Sequence, residues 1–213
     1  MINRAELKRH ARNQLKGRWG IAIGAIIAVF LIQMLFNFIT RIFEDNNNAL
    51  AIVLAIISMI VSTVMSIGMC RFSLNYAYED RDPEFADIFS GFRVILKAIG
   101  LFFLLGIIIL IGTILLIIPG IIFSYMFSQS YYILADDNSK SVIQCLKESA
   151  GMMKGYKFKY FVLLLSFLGW IILGIITLGI GLLWVVPYMN VTTASFYLTV
   201  KNNYYQSNSW LNE

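Results

Sequence analysis

Apolar residues fall in three long blocks separated by polar stretches. The first runs from Trp19 to Cys70, and its only charged residues are Arg41, Glu44 and Asp45. The second, Ile99 to Ala135, and the third, Tyr160 to Val200, carry no charge at all. Within the first block, Ala49–Cys70 is about as long as the roughly 20 apolar residues that cross a bilayer as a helix. The second block as one helix would be about 55 Å long, nearly twice the hydrocarbon thickness. It must fold back, and Pro119-Gly120 predicts the place. Proline cannot continue helical hydrogen bonding, and glycine accepts a positive φ. Gly179 and Gly181 predict the matching turn in the third block, and Glu44-Asp45-Asn46-Asn47-Asn48 the turn in the first.

The pattern therefore predicts an all-α, polytopic membrane protein with six transmembrane helices in three hairpins. The spans lie roughly at 19–42, 49–76, 96–118, 120–135, 159–177 and 181–200. Residues 1–201 form a single integral-membrane domain and 202–213 a polar C-terminal tail. Charge orients the spans. With the N-terminus inside, all 17 Lys and Arg residues except Arg41 fall on the cytoplasmic side, as the positive-inside rule requires. The basic N-terminus precedes an apolar run too long for a signal-peptide core, so it reads as an uncleaved anchor. Composition agrees: 59% of residues are hydrophobic and 14% charged, against about 25% charged in a soluble domain. The net charge of +5 is a topology and membrane-surface signal and gives no reason to expect nucleic acid. Cys70 and Cys145 both fall on the reducing side, where a structural disulfide is not expected.

The inner segments resemble one another. "LKGRW", "FSGFR" and "MKGYK" place Gly17, Gly91 and Gly155 between an amphipathic stretch and a span. Upstream of them lie the Leu7–Ala11–Leu15 stripe, the run Phe85, Ile88, Phe89 and Phe92 after Asp82-Pro83 as N-cap and first helical residue, and Val142, Leu146, Met153 and Tyr156 behind a Ser141–Gln144 capping box. Each unit (about 1–78, 82–137 and 139–201) reads as an interfacial helix, a glycine bend and a hairpin, a threefold internal repeat. Each second span ends in a Ser/Tyr-rich segment: "FSLNYAY", "FSQSYYI" and "ASFYLTV".

Three blocks carry a resemblance to a known family. "AELKRHARNQLKGRWG", "IIPGIIFSYMFSQSYYILADD" and "ESAGMMKGYKFKYFVLLLSFLGWIILGIITLGIG" resemble, in order and spacing, a bacterial integral-membrane family catalogued as domain of unknown function 975. The resemblance covers about Met1 to Lys201. It implies a small polytopic protein of the bacterial cytoplasmic membrane and brings no activity, cofactor or functional residue with it. A fainter likeness to membrane domains attached to some bacterial glycerophosphodiesterases rests on the interfacial-helix-plus-hairpin rhythm, without a catalytic domain of that kind.

The inventory for catalysis is poor. His10, the one histidine, lies on an amphipathic helix, and there is no HExxH, CxxC, Walker loop or GxSxG. The chain reads as a non-enzyme with no cofactor. Asp80, Asp82 and Asp87 read as loop charges and caps before a cation site. Intramembrane polarity is confined to a few groups. Arg71, Asn75, Gln129, Tyr132, Asn190 and Tyr197 fall in the inner half, as lining of a polar cavity or as interhelical hydrogen-bonding groups. Ser58, Ser62, Ser66 and Cys70, and Gly20, Gly24 and Ala28, form small-residue ridges suited to close packing. Lys8, Arg12, Lys16, Lys147 and Lys154 form a basic collar for anionic lipid. The expected activity is non-enzymatic binding of lipid or of a membrane-protein partner. The alternative is a small transporter or channel with an inward-facing cavity.

Overall fold

The computed structural model describes residues 3–44 and 48–209. The expected turn at Asp45–Asn47 lies outside the described residues. Ten α-helices and one 3-10 helix follow in order: α1 (Arg4–Leu15), α2 (Trp19–Glu44), α3 (Asn48–Ala77), the 3-10 helix Phe85–Val94, α4 (Ile95–Leu115), α5 (Ile117–Met126), α6 (Ser130–Asp136), α7 (Val142–Met152), α8 (Lys157–Leu165), α9 (Leu168–Ile176) and α10 (Leu182–Ser209). Among the described residues five stretches are long and apolar enough to cross a membrane: Trp19–Phe43, Ala49–Ala77, Phe85–Leu115, Ile117–Asp136 and Lys157–Ile176. Only 11–33% of each is buried within the protein, so most of their apolar surface faces outward, as lipid-exposed helices do. The expected sixth span lies on α10, which is long enough but too polar to join these five. The residues expected as a tail continue α10 as far as Ser209.

The turn in the second apolar block is not at Pro119-Gly120. The chain reverses at Leu116, whose φ of −167° and ψ of 146° separate α4 from α5. Pro119 is the third residue of α5, inside the first helical turn, where a missing N–H costs nothing. Gly120 is helical, and its role is close approach. A Cβ there would lie 2.3 Å from Thr113 Oγ1, and one on Gly112 would lie 2.6 Å from the Phe123 ring. The fourth and fifth spans are each broken once, between α5 and α6 at Phe127–Gln129 and between α8 and α9 at Ser166-Phe167. In the third block Gly179 does turn the chain, at φ +86°. Its N–H donates to Gly174 O at 3.0 Å, closing α9 with a Schellman-type bond.

The three inner glycines are not equivalent. Gly17 and Gly155 adopt φ +81° and +80° between successive helices. Gly91 does not turn the chain: it is buried inside the 3-10 helix, where a Cβ would fall 2.0 Å from the Val64 carbonyl oxygen. Gly68 answers it from α3, against Ile88 O at 1.7 Å. The second amphipathic segment is therefore packed backbone-to-backbone along α3. Asp82 and Pro83 do not start that helix. Glu84 is its N-cap, in a capping box with Asp87, and Asp82 pairs with Arg18 at 2.8 Å. The Ser141–Gln144 box is present at the start of α7, with bonds of 2.8 and 3.3 Å. Gly20 and Gly24 have nothing within 4 Å of an added Cβ, so that ridge is open.

Burial is graded along the molecule. Val64, Ile67 and Leu74 on α3, Ile133–Ala135 on α6, Cys145, Leu146 and Met152 on α7, and Ala194, Phe196, Tyr197 and Val200 on α10 form one core. Ala11 and Leu15 of α1 join Met65, Phe72, Tyr76 and Val191 in a second. The first half of α3, the second half of α4 and most of α9 present exposed Leu, Ile and Phe.

Candidate functional site

Three of the six expected cavity residues come together. The Tyr132 ring stacks on Tyr197, with centroids 5.7 Å apart and planes 21° apart, and its hydroxyl points to Asn190 O at 3.5 Å. The other three have separate duties. Arg71 donates to Ala135 O at 2.9 Å and ties α3 to α6. Asn75 donates to Asp87 Oδ2 at 2.8 Å and steadies the carboxylate that also accepts the Glu84 N–H. Gln129 is fully buried beside Ser128, to which its side chain donates. Tyr132 and Asn190 line a cleft of about 280 Å³ with Gln33 of α2 and Ser62, Ser66, Cys70 and Ser73 of α3. Four of its polar groups thus come from one stripe of α3, the small-residue ridge of the sequence continued by Ser73.

Below Tyr197 lies a site the sequence did not announce. Asp136, the last residue of α6, has a side chain only 5% exposed. It accepts hydrogen bonds from Tyr78 OH at 3.0 Å, from Tyr197 OH at 3.0 Å and from Lys201 Nζ. The Arg81 guanidinium is 3.9 Å away and stacks over the Tyr78 ring. The ends of α3 and α6 and the second half of α10 converge on this one carboxylate. Burial raises the Tyr78 pKa, and the adjacent Asp136 raises it further. Burial works to lower Lys201, but its contacts with Asp136 carry it above the ordinary lysine value. The group is thus a charge-paired clamp. The sequence signal was present only in part, as Ser/Tyr-rich ends on each second span.

A second clamp joins the α6–α7 loop to α7 and α10. Lys140 donates to Glu148 Oε2 at 2.6 Å and to Tyr205 OH at 3.1 Å, and Tyr205 OH donates to Glu148 Oε1 at 2.7 Å. Burial would lower the Lys140 pKa, but Glu148 and Tyr205 bring it up to about 12. No cluster of three metal-ligating side chains exists among the described residues. His10 Nε2 lies 3.2 Å from Ala77 O and links α1 to the end of α3. Both cysteines are free.

The basic collar is split. Lys8 is turned inward: its ammonium donates to Ser166 O at 3.1 Å, in the break between α8 and α9, and sits 4.1 Å over the Phe167 ring. Burial holds its pKa below the usual value, with Arg4 adding to the effect. Arg12, Lys16, Lys147 and Lys154 are exposed. The four ion pairs among the described residues use Arg18, Arg81, Lys140 and Lys201, so none of these exposed cations is neutralised by a carboxylate of the chain.

The chain belongs to the family described as "Protein of unknown function (DUF975)", whose model matches residues 1–118 and 102–204. No curated protein and no solved structure matches it.

Proposed function

We propose that this protein is a non-enzymatic component of the bacterial cytoplasmic membrane that binds anionic lipid, or an acidic membrane-protein partner, on a basic cytoplasmic face. The supporting observation is that Arg12, Lys16, Lys147 and Lys154 are exposed and outside every ion pair among the described residues. Cations near an anionic leaflet gain about 1 kcal/mol each. The carboxylates of Asp136 and Glu148, both largely buried, are spent on internal clamps. Both termini face the cytoplasm in this reading, and α10 completes a sixth crossing and a third hairpin. Its polar face is covered by the protein, because Thr192, Thr193 and Ser195 are buried and donate to carbonyls four residues earlier.

Lipid retained after detergent extraction tests the proposal. Protein purified from mixed phosphatidylglycerol and phosphatidylcholine should carry an excess of phosphatidylglycerol. Arg12→Gln, Lys16→Gln, Lys147→Gln and Lys154→Gln together should remove most of it, and raised salt should weaken it. Equal retention of both lipids would refute the lipid-binding reading. The cleft of about 280 Å³ beside Gln33 and Asn190 supports the second reading, a small transporter. No charged group lines it, so coupling to protons has no carrier there. Solute uptake into proteoliposomes would favour that alternative.

A further inference from the structure

A second cleft, of about 380 Å³, lies between α2, α9 and α10. Its lining holds Trp19, Trp170 and Trp184, three of the chain's four tryptophans, with Leu173 and Val185. Trp170, Leu173 and Trp184 are each about half exposed, so the cleft opens sideways to whatever surrounds the helices. The walls are apolar. Thr177 adds no spare polarity, because its hydroxyl donates to Gly174 O and accepts the Gly181 N–H. The one charged group on the lining is Arg12, which interacts with Tyr188. Tyr188 lies six residues along α10 from Leu182, about 9 Å from the α9–α10 turn, so Arg12 stands at the end of the cleft away from that turn.

We infer that this cleft takes one acyl chain of an anionic phospholipid, with the lipid phosphate on the Arg12 guanidinium. The inference rests on the anionic-lipid reading above and assigns it a specific seat. The volume is near the lower end of the ~300–1,000 Å³ of small-molecule sites, enough for a single chain and too small for a whole lipid. The charge is complementary. Arg12 carries five donors in a planar fork suited to phosphate, and no carboxylate among the described residues pairs with it. A neutral lipid of the same chain length would fill the walls equally well but would bring a cation beside Arg12 along with its phosphate. The guanidinium therefore sets the headgroup preference, and the tryptophans hold the chain. Lys8, turned inward beneath α1 and bonded to Ser166 O, anchors α1 to the α8–α9 break and so holds Arg12 at the cleft.

The tryptophans are the reporters. Trp210→Phe leaves only the three in the cleft. The full-length protein in phosphatidylcholine nanodiscs receives a minor fraction of either phosphatidylglycerol or phosphatidylcholine with brominated chains, which quench nearby indoles. Brominated phosphatidylglycerol should quench about fivefold more effectively per mole, the ratio that one cation near an anionic headgroup supplies. Arg12→Gln should make the two lipids equal, and Arg12→Lys should keep part of the preference. Equal quenching in the protein with Arg12, or a preference that survives Arg12→Gln with the helical circular dichroism unchanged, would overturn the assignment. The association of spin-labelled lipids with the same samples separates the two readings. If the anionic preference of the surface persists while quenching is equal, only the cleft fails. If neither is selective, the basic-face proposal falls with it.

Discussion

Single residues decide how tightly this bundle closes, and glycine does so in two different ways. At Gly17 and Gly155 the left-handed φ is the requirement. At Gly91 the requirement is room, since the Val64 carbonyl occupies the place of a Cβ. A shared letter after an amphipathic stretch cannot distinguish these cases, because the distinction lies in what α3 places opposite. Gly91→Ala should therefore destabilise by about 1–3 kcal/mol, the usual cost of overpacking, while Gly24→Ala, with open space around it, should have little effect. Thermal unfolding of both variants in one detergent checks the contrast. Leu178 makes the converse case. It has φ 56° at the position after the cap of α9, where glycine is usual, and it is almost wholly exposed. Leu178→Gly should raise stability by about 1 kcal/mol, the size of the strain released. A loss instead would mean that its side chain has a partner of its own. Asp136→Asn should cost roughly 1–3 kcal/mol through weakened bonds to Lys201, Tyr78 and Tyr197. It should do so without altering lipid preference, because the clamp is internal.

Helices were legible from the sequence where the cause was local. The Ser141–Gln144 box starts α7 as its own spacing dictates, and the Gly179 turn follows from its own backbone. The reversal at Leu116 was not legible, because Pro119 is compatible with a turn and with the first turn of a helix. The neighbour that decides is the close seat of Gly120 against Thr113. The hub at Asp136 was hidden for a stronger reason: its partners at 78, 81, 197 and 201 are up to 65 residues away, and "ADD" alone reads as loop charge. Among the elements, the attachment of α10 to α7 through Lys140 has a pH signature. The folded pKa near 12 exceeds the ordinary 10.5. The pairing thus stabilises fully below about pH 10.5 and is lost as the pH rises through 12. The melting temperatures of the wild type and Lys140→Met should differ by a constant amount at pH 8–10 and converge toward pH 12.

At the scale of the whole molecule, the gradient of burial organises everything else. One end packs its side chains into continuous cores and pairs its buried carboxylate, while the apolar ends of α3, α4 and α9 are left uncovered. In lipid those uncovered faces cost nothing, and association between helices must come from close packing and hydrogen bonds. The glycine contacts of α3 with the 3-10 helix and of α4 with α5 supply the first. The clamps supply the second. The clamps gather at the ends of α3 and α6 and along the last part of α10, the side to which the sequence assigns the Lys and Arg residues. In the proposed orientation the clamps and the exposed cations share the cytoplasmic side, and the α4–α5 connection at Leu116 lies toward the other. This orientation makes a direct prediction in a background lacking Cys70 and Cys145. A cysteine replacing exposed Asp80, between α3 and the 3-10 helix, should resist a membrane-impermeant thiol reagent in intact cells and react after the cells are opened. One replacing Asn47, in the polar stretch between α2 and α3, should react in both conditions. Reaction of Asp80→Cys in intact cells, with Asn47→Cys protected, would invert the protein in its membrane. The basic face, the Arg12 cleft and the lipid they are proposed to hold would then all lie on the outer side.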